Sequence, residues 1–172
     1  MSVLDFVFVI AVLMAVVAAP FSVIGWSNSL SHPKGQRPFP LKSTLLFAIP
    51  LLVGTLAAGL STFVAQCEVA GFLASVSDHY TISVDGQVVQ NRDQVLATLK
   101  EFTDLPAHHS HPTRELRVEI SDPPRGMRLW LGRDSADPQE YWVFAPSPSK
   151  LAARAALKKD IGHVKTSLFD TY

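Results

Sequence analysis

Two charge-free apolar runs dominate the first third of the chain, Phe6–Trp26 and Thr44–Ala65, and from Asp78 onward a pattern of alternation and turns replaces them. A bilayer core about 30 Å thick takes about 20 apolar residues as a helix, so each run predicts a membrane-spanning helix, at about 6–26 and 44–65. Neither run shows a polar face at helical spacing, as a core helix of a soluble domain would. Each contains a proline, Pro20 and Pro50, which a lipid-embedded helix tolerates because neighbouring groups re-satisfy the freed carbonyl. Small residues recur along both runs: Ala11, Ala15 and Ala19 at a spacing of four, then Gly54, Ala58 and Ala65. In lipid, close backbone approach holds helices together, so these stripes predict that the two pack on each other.

Beyond a junction at 69–77, which extends the second helix or lies on the surface, residues 78–172 read as an α+β domain. His79–Val84 and Gln87–Gln90 flank Asp85-Gly86, a favoured two-residue hairpin turn. A helix follows, with Asn91 as its cap and Val95, Leu96, Leu99 and Phe102 on one face. Arg114–Ser121 alternates, with Leu116, Val118 and Ile120 inward and Glu115, Arg117 and Glu119 outward. Asp122–Gly126 turns the chain, and Met127–Leu131 returns with Trp130 on the outer face. Glu140–Ala145 is a further strand, Lys150–Asp160 a second helix closed by Gly162, and His163–Phe169 a last strand. The fold class predicted is α+β: two transmembrane helices, then a small antiparallel sheet with one or two helices packed on it.

Charge changes the picture by orienting the spans. Lys34, Arg37 and Lys42 lie in the acid-free loop 27–43, the segment before the first span has no base, and none follows the second until Arg92. The positive-inside rule puts that loop in the cytoplasm and both termini outside, in an inner or plasma membrane. Met1–Asp5 lacks the basic n-region of a signal peptide. After Cys67 the chain holds 12 of its 15 bases and 14 of its 15 acids, which excludes a basic nucleic-acid binder. One cysteine in 172 residues excludes a disulfide scaffold.

Candidate chemistry is sparse. His108, His109 and His111 cluster before a strand, and imidazole is a ligand for zinc or copper; adjacent histidines cannot all converge on one ion from a regular element, but His109 and His111 can from an extended segment, with His79 or His163 adding a third nitrogen. The same cluster would gain charge as an outside compartment acidifies. Against this stands the ordinary role of histidine as a polar loop residue. Arg133-Asp134-Ser135 and Asp137-Pro138 are turn-forming residues, with Arg133 expected to pin the turn by pairing with Asp134. No Gly-x-Ser-x-Gly elbow and no phosphate-cradling glycine loop occurs. Glu115 and Glu119 stand about 14 Å apart by strand rise, too far for a glycosidase pair. Trp130, Tyr141 and Trp142 are large rings that either anchor a partner protein from an exposed sheet face, or are buried beneath the second helix, or lie at the membrane interface as a belt. The expectation is a non-catalytic accessory or interaction protein without a cofactor, contacting the lipid bilayer and a protein partner or a second copy of itself. A metal-binding or pH-sensing domain is the alternative.

Overall fold

The computed structural model describes residues 3–33, 38–103, 110–146 and 158–172. It is an α+β protein, with two long apolar helices, α1 (Val3–Leu30) and α2 (Leu41–Ala74), followed by an antiparallel sheet and a short helix. The chain divides into two compact units, Met1–Ser61 and Thr62–Tyr172.

In the first unit the side chains are sorted inside out. Ala11, Ala15, Ala18, Gly54 and Ala57 are buried, whereas Phe8, Leu13, Val17, Leu52 and Leu56 are exposed. Small residues let the two backbones come together: a Cβ on Gly54 would sit 3.4 Å from that of Ala11. Of the stripes read from sequence, Ala19 and Ala58 are only half-buried, and Ala18 and Ala57 take the inward places. A few polar ties complete the pair. Ser22 donates to the carbonyl of Ser43 at 2.6 Å and Ser29 to that of Pro38 at 2.5 Å, and Trp26 meets Phe39 edge-on at 5.6 Å. Both helices are long and apolar enough to cross a membrane.

The second unit holds a six-stranded sheet in the order β2-β1-β3-β4-β5-β6, antiparallel throughout. Its strands are β1 (Thr81–Val84), β2 (Gln87–Val88), β3 (Pro112–Asp122), β4 (Arg125–Asp134), β5 (Glu140–Pro146) and β6 (Lys158–Lys165). Asp85 and Gly86 have φ of 49° and 85°, the left-handed pair that a tight hairpin matching strand twist requires. Helix α3 (Arg92–Lys100) buries Val95, Leu96 and Leu99. Asn91 begins it through its carbonyl, which accepts from the amides of Gln94 and Val95 at 3.1 and 3.2 Å; its side chain makes no cap hydrogen bond. Period-two alternation puts Leu116, Val118, Ile120, Leu129 and Leu131 on one face, all at most 2% exposed.

The last turns of α2 also belong to this core, through Ala65, Val69 and Leu73. The helix therefore runs on through most of the stretch 69–77. At its end Arg125 donates to the carbonyl of Ser75 at 2.9 Å, pairs with Asp122 at 2.9 Å and lies 5.7 Å over the Phe72 ring. The Asp122 carboxyl also accepts from the Ser77 hydroxyl. That bond, together with Arg125, holds its pKa below the usual range against the opposing effect of burial.

Two sequence expectations are corrected in the last third. Within the expected helix Lys150–Asp160, residues 150–157 lie outside the described residues, and Lys158–Asp160 open β6. The cause is non-local: Pro146, Ala145 and Phe144 of β5 pair with Lys158, Lys159 and Asp160, and ladder hydrogen bonds override local helix preference. Gly162, expected to close that helix, sits inside β6 at φ 140°. Its missing side chain admits Thr103, whose amide donates to the His163 carbonyl at 2.9 Å and whose carbonyl accepts from the His163 amide at 2.8 Å.

Candidate interaction face

The sheet face opposite the core carries the polar and aromatic side chains. β3 contributes Glu115, Arg117 and Glu119; β4 contributes Arg128 and Trp130; β5 contributes Glu140, Trp142 and Phe144. The register sets Trp130 opposite Phe144 and Gly132 opposite Trp142. Gly132 makes room here, since a Cβ would come within 2.6 Å of Pro112 and 3.1 Å of the Phe144 ring. Trp142 and Phe144 stack at 6.4 Å with 14° between planes, and both, like Trp130, are half-buried. Such rings present apolar area without being lost to the core.

The charges around them are paired. Arg128 donates to Glu119 at 2.8 Å, Arg117 stands 3.7 Å from the same carboxylate, and Lys158 pairs with Glu115 while lying 5.0 Å over the Trp130 ring. Exposed pairs of this kind add about 0–1 kcal/mol each; their effect is to fix side chains around the rings.

At the other end of the face a denser polar network forms. The Trp142 indole donates to Asp134 at 2.7 Å, and the amides of Ala136 and Asp137 donate to the second oxygen at 2.6 and 3.0 Å. Burial works against ionisation of Asp134, but the hydrogen bonds from Trp142 and the two amides outweigh it and hold its carboxyl well below the usual range. Arg133 does not pair with Asp134 as expected from their adjacency. Neighbours in a strand point to opposite faces, so Arg133 reaches Asp170 at 3.1 Å and the Pro138 carbonyl at 2.9 Å.

Beside Trp142, whose ring centroid lies 4.5 Å from that of His163, His163 Nδ1 is 2.7 Å from Glu140 Oε1, with both side chains at most 5% exposed. Lys165 approaches Glu140 at 3.4 Å and Asp137 at 2.9 Å. Its hydrogen bond to Asp137 raises the lysine pKa and lowers that of the aspartate. A carboxylate that orients an imidazole is a recurring device in catalysis and metal binding. Here the pair makes no hydrogen bond to a serine, cysteine or threonine side chain among the described residues.

Of the residues singled out from sequence, Trp130 and Trp142 share this face. Tyr141 does not. The same alternation that turns Trp142 outward turns Tyr141 into the core, where it is 1% exposed, packs on Phe169 at 5.5 Å and donates to Asp170 at 2.9 Å. Its place in the aromatic set is taken by Phe144, which the period-two pattern of Glu140–Ala145 already put beside Trp142. His108 and His109 lie outside the described residues. His111 is exposed, its amide donates to Ser135 Oγ at 3.1 Å and its ring Nδ1 lies 3.5 Å from that hydroxyl. His79 is exposed, and His163 has its Nδ1 engaged by Glu140. Among the described residues no group of three or more His, Cys, Asp or Glu could hold a metal ion. The Glu140–His163 pair escaped the sequence reading because 23 residues separate its members and only the β5–β6 register aligns them.

Compared with known protein families, curated proteins and solved structures, the chain matches none.

Proposed function

We propose that this is a membrane-tethered, non-catalytic interaction protein. In this reading α1 and α2 cross an inner or plasma membrane, loop 27–43 faces the cytoplasm, and both termini with the sheet domain lie outside. The outer face of the sheet holds a partner protein through Trp130, Phe144 and Trp142. The observation that carries it is the strip of half-buried aromatic rings on the face opposite the core, with surrounding charges already paired. Rings of this size, pre-positioned by neighbours, anchor interfaces at low entropic cost. The bilayer part is supported by exposed Phe, Leu, Ile and Val around an alanine- and glycine-lined seam, the reverse of a soluble helix pair.

Photocrosslinking in native membranes tests the partner face. A crosslinker at Trp130 or Phe144 should capture a partner protein, or a second copy, that one at Val88 on the far edge does not; recovery of bare monomer from all three positions refutes the proposal. Alkaline phosphatase fused after Tyr172 should be active, and an inactive fusion overturns the topology. The metal alternative rests on His108 and His109, outside the described residues, together with His111. Elemental analysis of the purified chain decides it, because wild type without bound zinc or copper removes it.

A further inference from the structure

Within the first unit, the end of the helix pair nearest its connecting loop forms a cleft that mixes hydroxyls with large apolar side chains. Its volume is about 680 Å³, and Ser22, Val23, Trp26, Ser27 and Ser31 line it from the α1 side and Phe47 from α2. The cleft straddles two levels of the helix. The apolar run Phe6–Trp26 has 21 residues, which span about 31 Å as a helix, the thickness of a hydrocarbon core. Helix α1 continues to Leu30, about 6 Å further, through the depth that headgroups occupy. Val23 and Phe47 therefore stand where acyl chains begin, Trp26 at the boundary that tryptophan favours, and Ser27 and Ser31 beyond it.

We infer that this cleft holds one anionic phospholipid, its phosphate at Ser27 and Ser31 and the upper part of an acyl chain against Val23 and Phe47. The inference rests on the reading of α1 and α2 as membrane spans. Charge selects the class of lipid. Between Asp5 and Glu68 the chain has no acid, and its three bases there, Lys34, Arg37 and Lys42, fall within nine residues of the segment joining the helices. Among the described residues Lys42 is exposed and makes no salt bridge. Basic residues beside an anionic leaflet add to binding. A helix C-terminus ordinarily repels an anion, but here its carbonyls are engaged. Ser27 accepts from the Ser31 amide at 3.1 Å and the Ser31 hydroxyl at 3.0 Å, Ser29 accepts from the His32 amide at 3.3 Å, and His32 Nδ1 lies 2.9 Å from the Asn28 carbonyl. The Ser27 hydroxyl is on an exposed residue, and that of Ser31 is held by a carbonyl one turn back, so both can turn to donate to a phosphate oxygen. Ser22 stays committed to the Ser43 carbonyl.

Spin-label spectroscopy tests the site. The full chain is reconstituted into phosphatidylcholine vesicles with a trace of chain-labelled phosphatidylglycerol or chain-labelled phosphatidylcholine, and the motionally restricted fraction of each is compared in high salt. At about 1 M salt the Debye length is about 3 Å, so diffuse attraction to the three bases is screened and contact at the cleft remains. Wild type should restrict phosphatidylglycerol several-fold more than phosphatidylcholine, and Ser27→Leu combined with Ser31→Leu should bring the two to parity. Ser27→Ala, which removes one exposed hydroxyl, serves if the double variant fails to fold, and should at least halve the preference. Equal restriction of both lipids by wild type, or an undiminished preference in the variants, overturns the inference. A carbonate wash separates the two levels. A chain stripped from the vesicles defeats the membrane-span reading and this inference with it; a retained chain without the preference defeats the lipid site alone.

Discussion

Gly162→Ala perturbs the point where the backbone of Thr103 closes the β6 edge. Gly162 has φ 140°, and a Cβ there would fall 2.7 Å from the Thr103 carbonyl oxygen and 3.2 Å from the Phe102 ring. Alanine is strained in that half of backbone space by about 1–3 kcal/mol. Relieving the clash means moving Thr103, whose two hydrogen bonds to His163 contribute about 0.5–1.5 kcal/mol each. The combined loss is about 2–6 kcal/mol, a large part of a typical domain's stability of 5–15 kcal/mol. Urea titration of the full chain in detergent, followed by near-ultraviolet circular dichroism, measures it. Two glycines calibrate the result. Gly86→Ala at φ 85° meets nothing within 4 Å and incurs conformational strain alone. Gly71→Ala, in helix α2 with open space around it, should stabilise by about 0.5–1 kcal/mol. If Gly162→Ala costs no more than Gly86→Ala, the close approach of Thr103 contributes nothing and the account of a covered edge is wrong.

Other expectations concern the polar ties. The folded-state pKa values of Asp122, Asp134 and Asp137 are lowered, so their stabilisation is present above the unfolded carboxylate pKa of about 4 and fades as pH falls below it. Trp142→Phe removes the indole donor to Asp134; it should cost about 1.5–3 kcal/mol at neutral pH and converge with wild type in strong acid, as urea midpoints across pH will show. Burial, with the neighbouring aspartates Asp93 and Asp170, pushes Tyr80 and Tyr141 up to about 12 from 10.0. Their contribution is intact below pH 10 and lost as pH rises from there towards 12, and Tyr141→Phe should flatten part of that decline in alkaline unfolding curves. Arg125→Ala should destabilise the sheet unit by about 1.5–3 kcal/mol by releasing Ser75 and Asp122. Arg125→Lys should recover little in the same titration, because an ammonium cannot reproduce the guanidinium fork.

Local periodicity carried the sequence reading where it succeeded. The long apolar runs, the Asp85-Gly86 hairpin, α3 and the alternation of β3 and β4 are written in neighbours a few positions apart, and the structure keeps them. It failed where partners are distant. Lys158–Asp160 follow an alanine- and leucine-rich stretch that favours a helix, yet they become strand because β5 supplies a ladder. Arg133 and Asp134 are adjacent and oppositely charged, yet they point apart because a strand alternates. Tyr141 and Trp142 look alike as anchors, and alternation alone buries one and leaves the other half-exposed.

By itself the sequence determined that two segments form long apolar helices without a polar face, and that the chain after them alternates as a half-buried sheet does, because burial free energy is set by side-chain type and period. Tertiary structure decided the rest. It matched Glu140 to His163, set Trp130 opposite Phe144, and brought the last turns of α2 into the core of the sheet unit. Those choices depend on strand register and on contacts between residues far apart in the chain, where no single segment has a preference and the lowest free energy belongs to the whole.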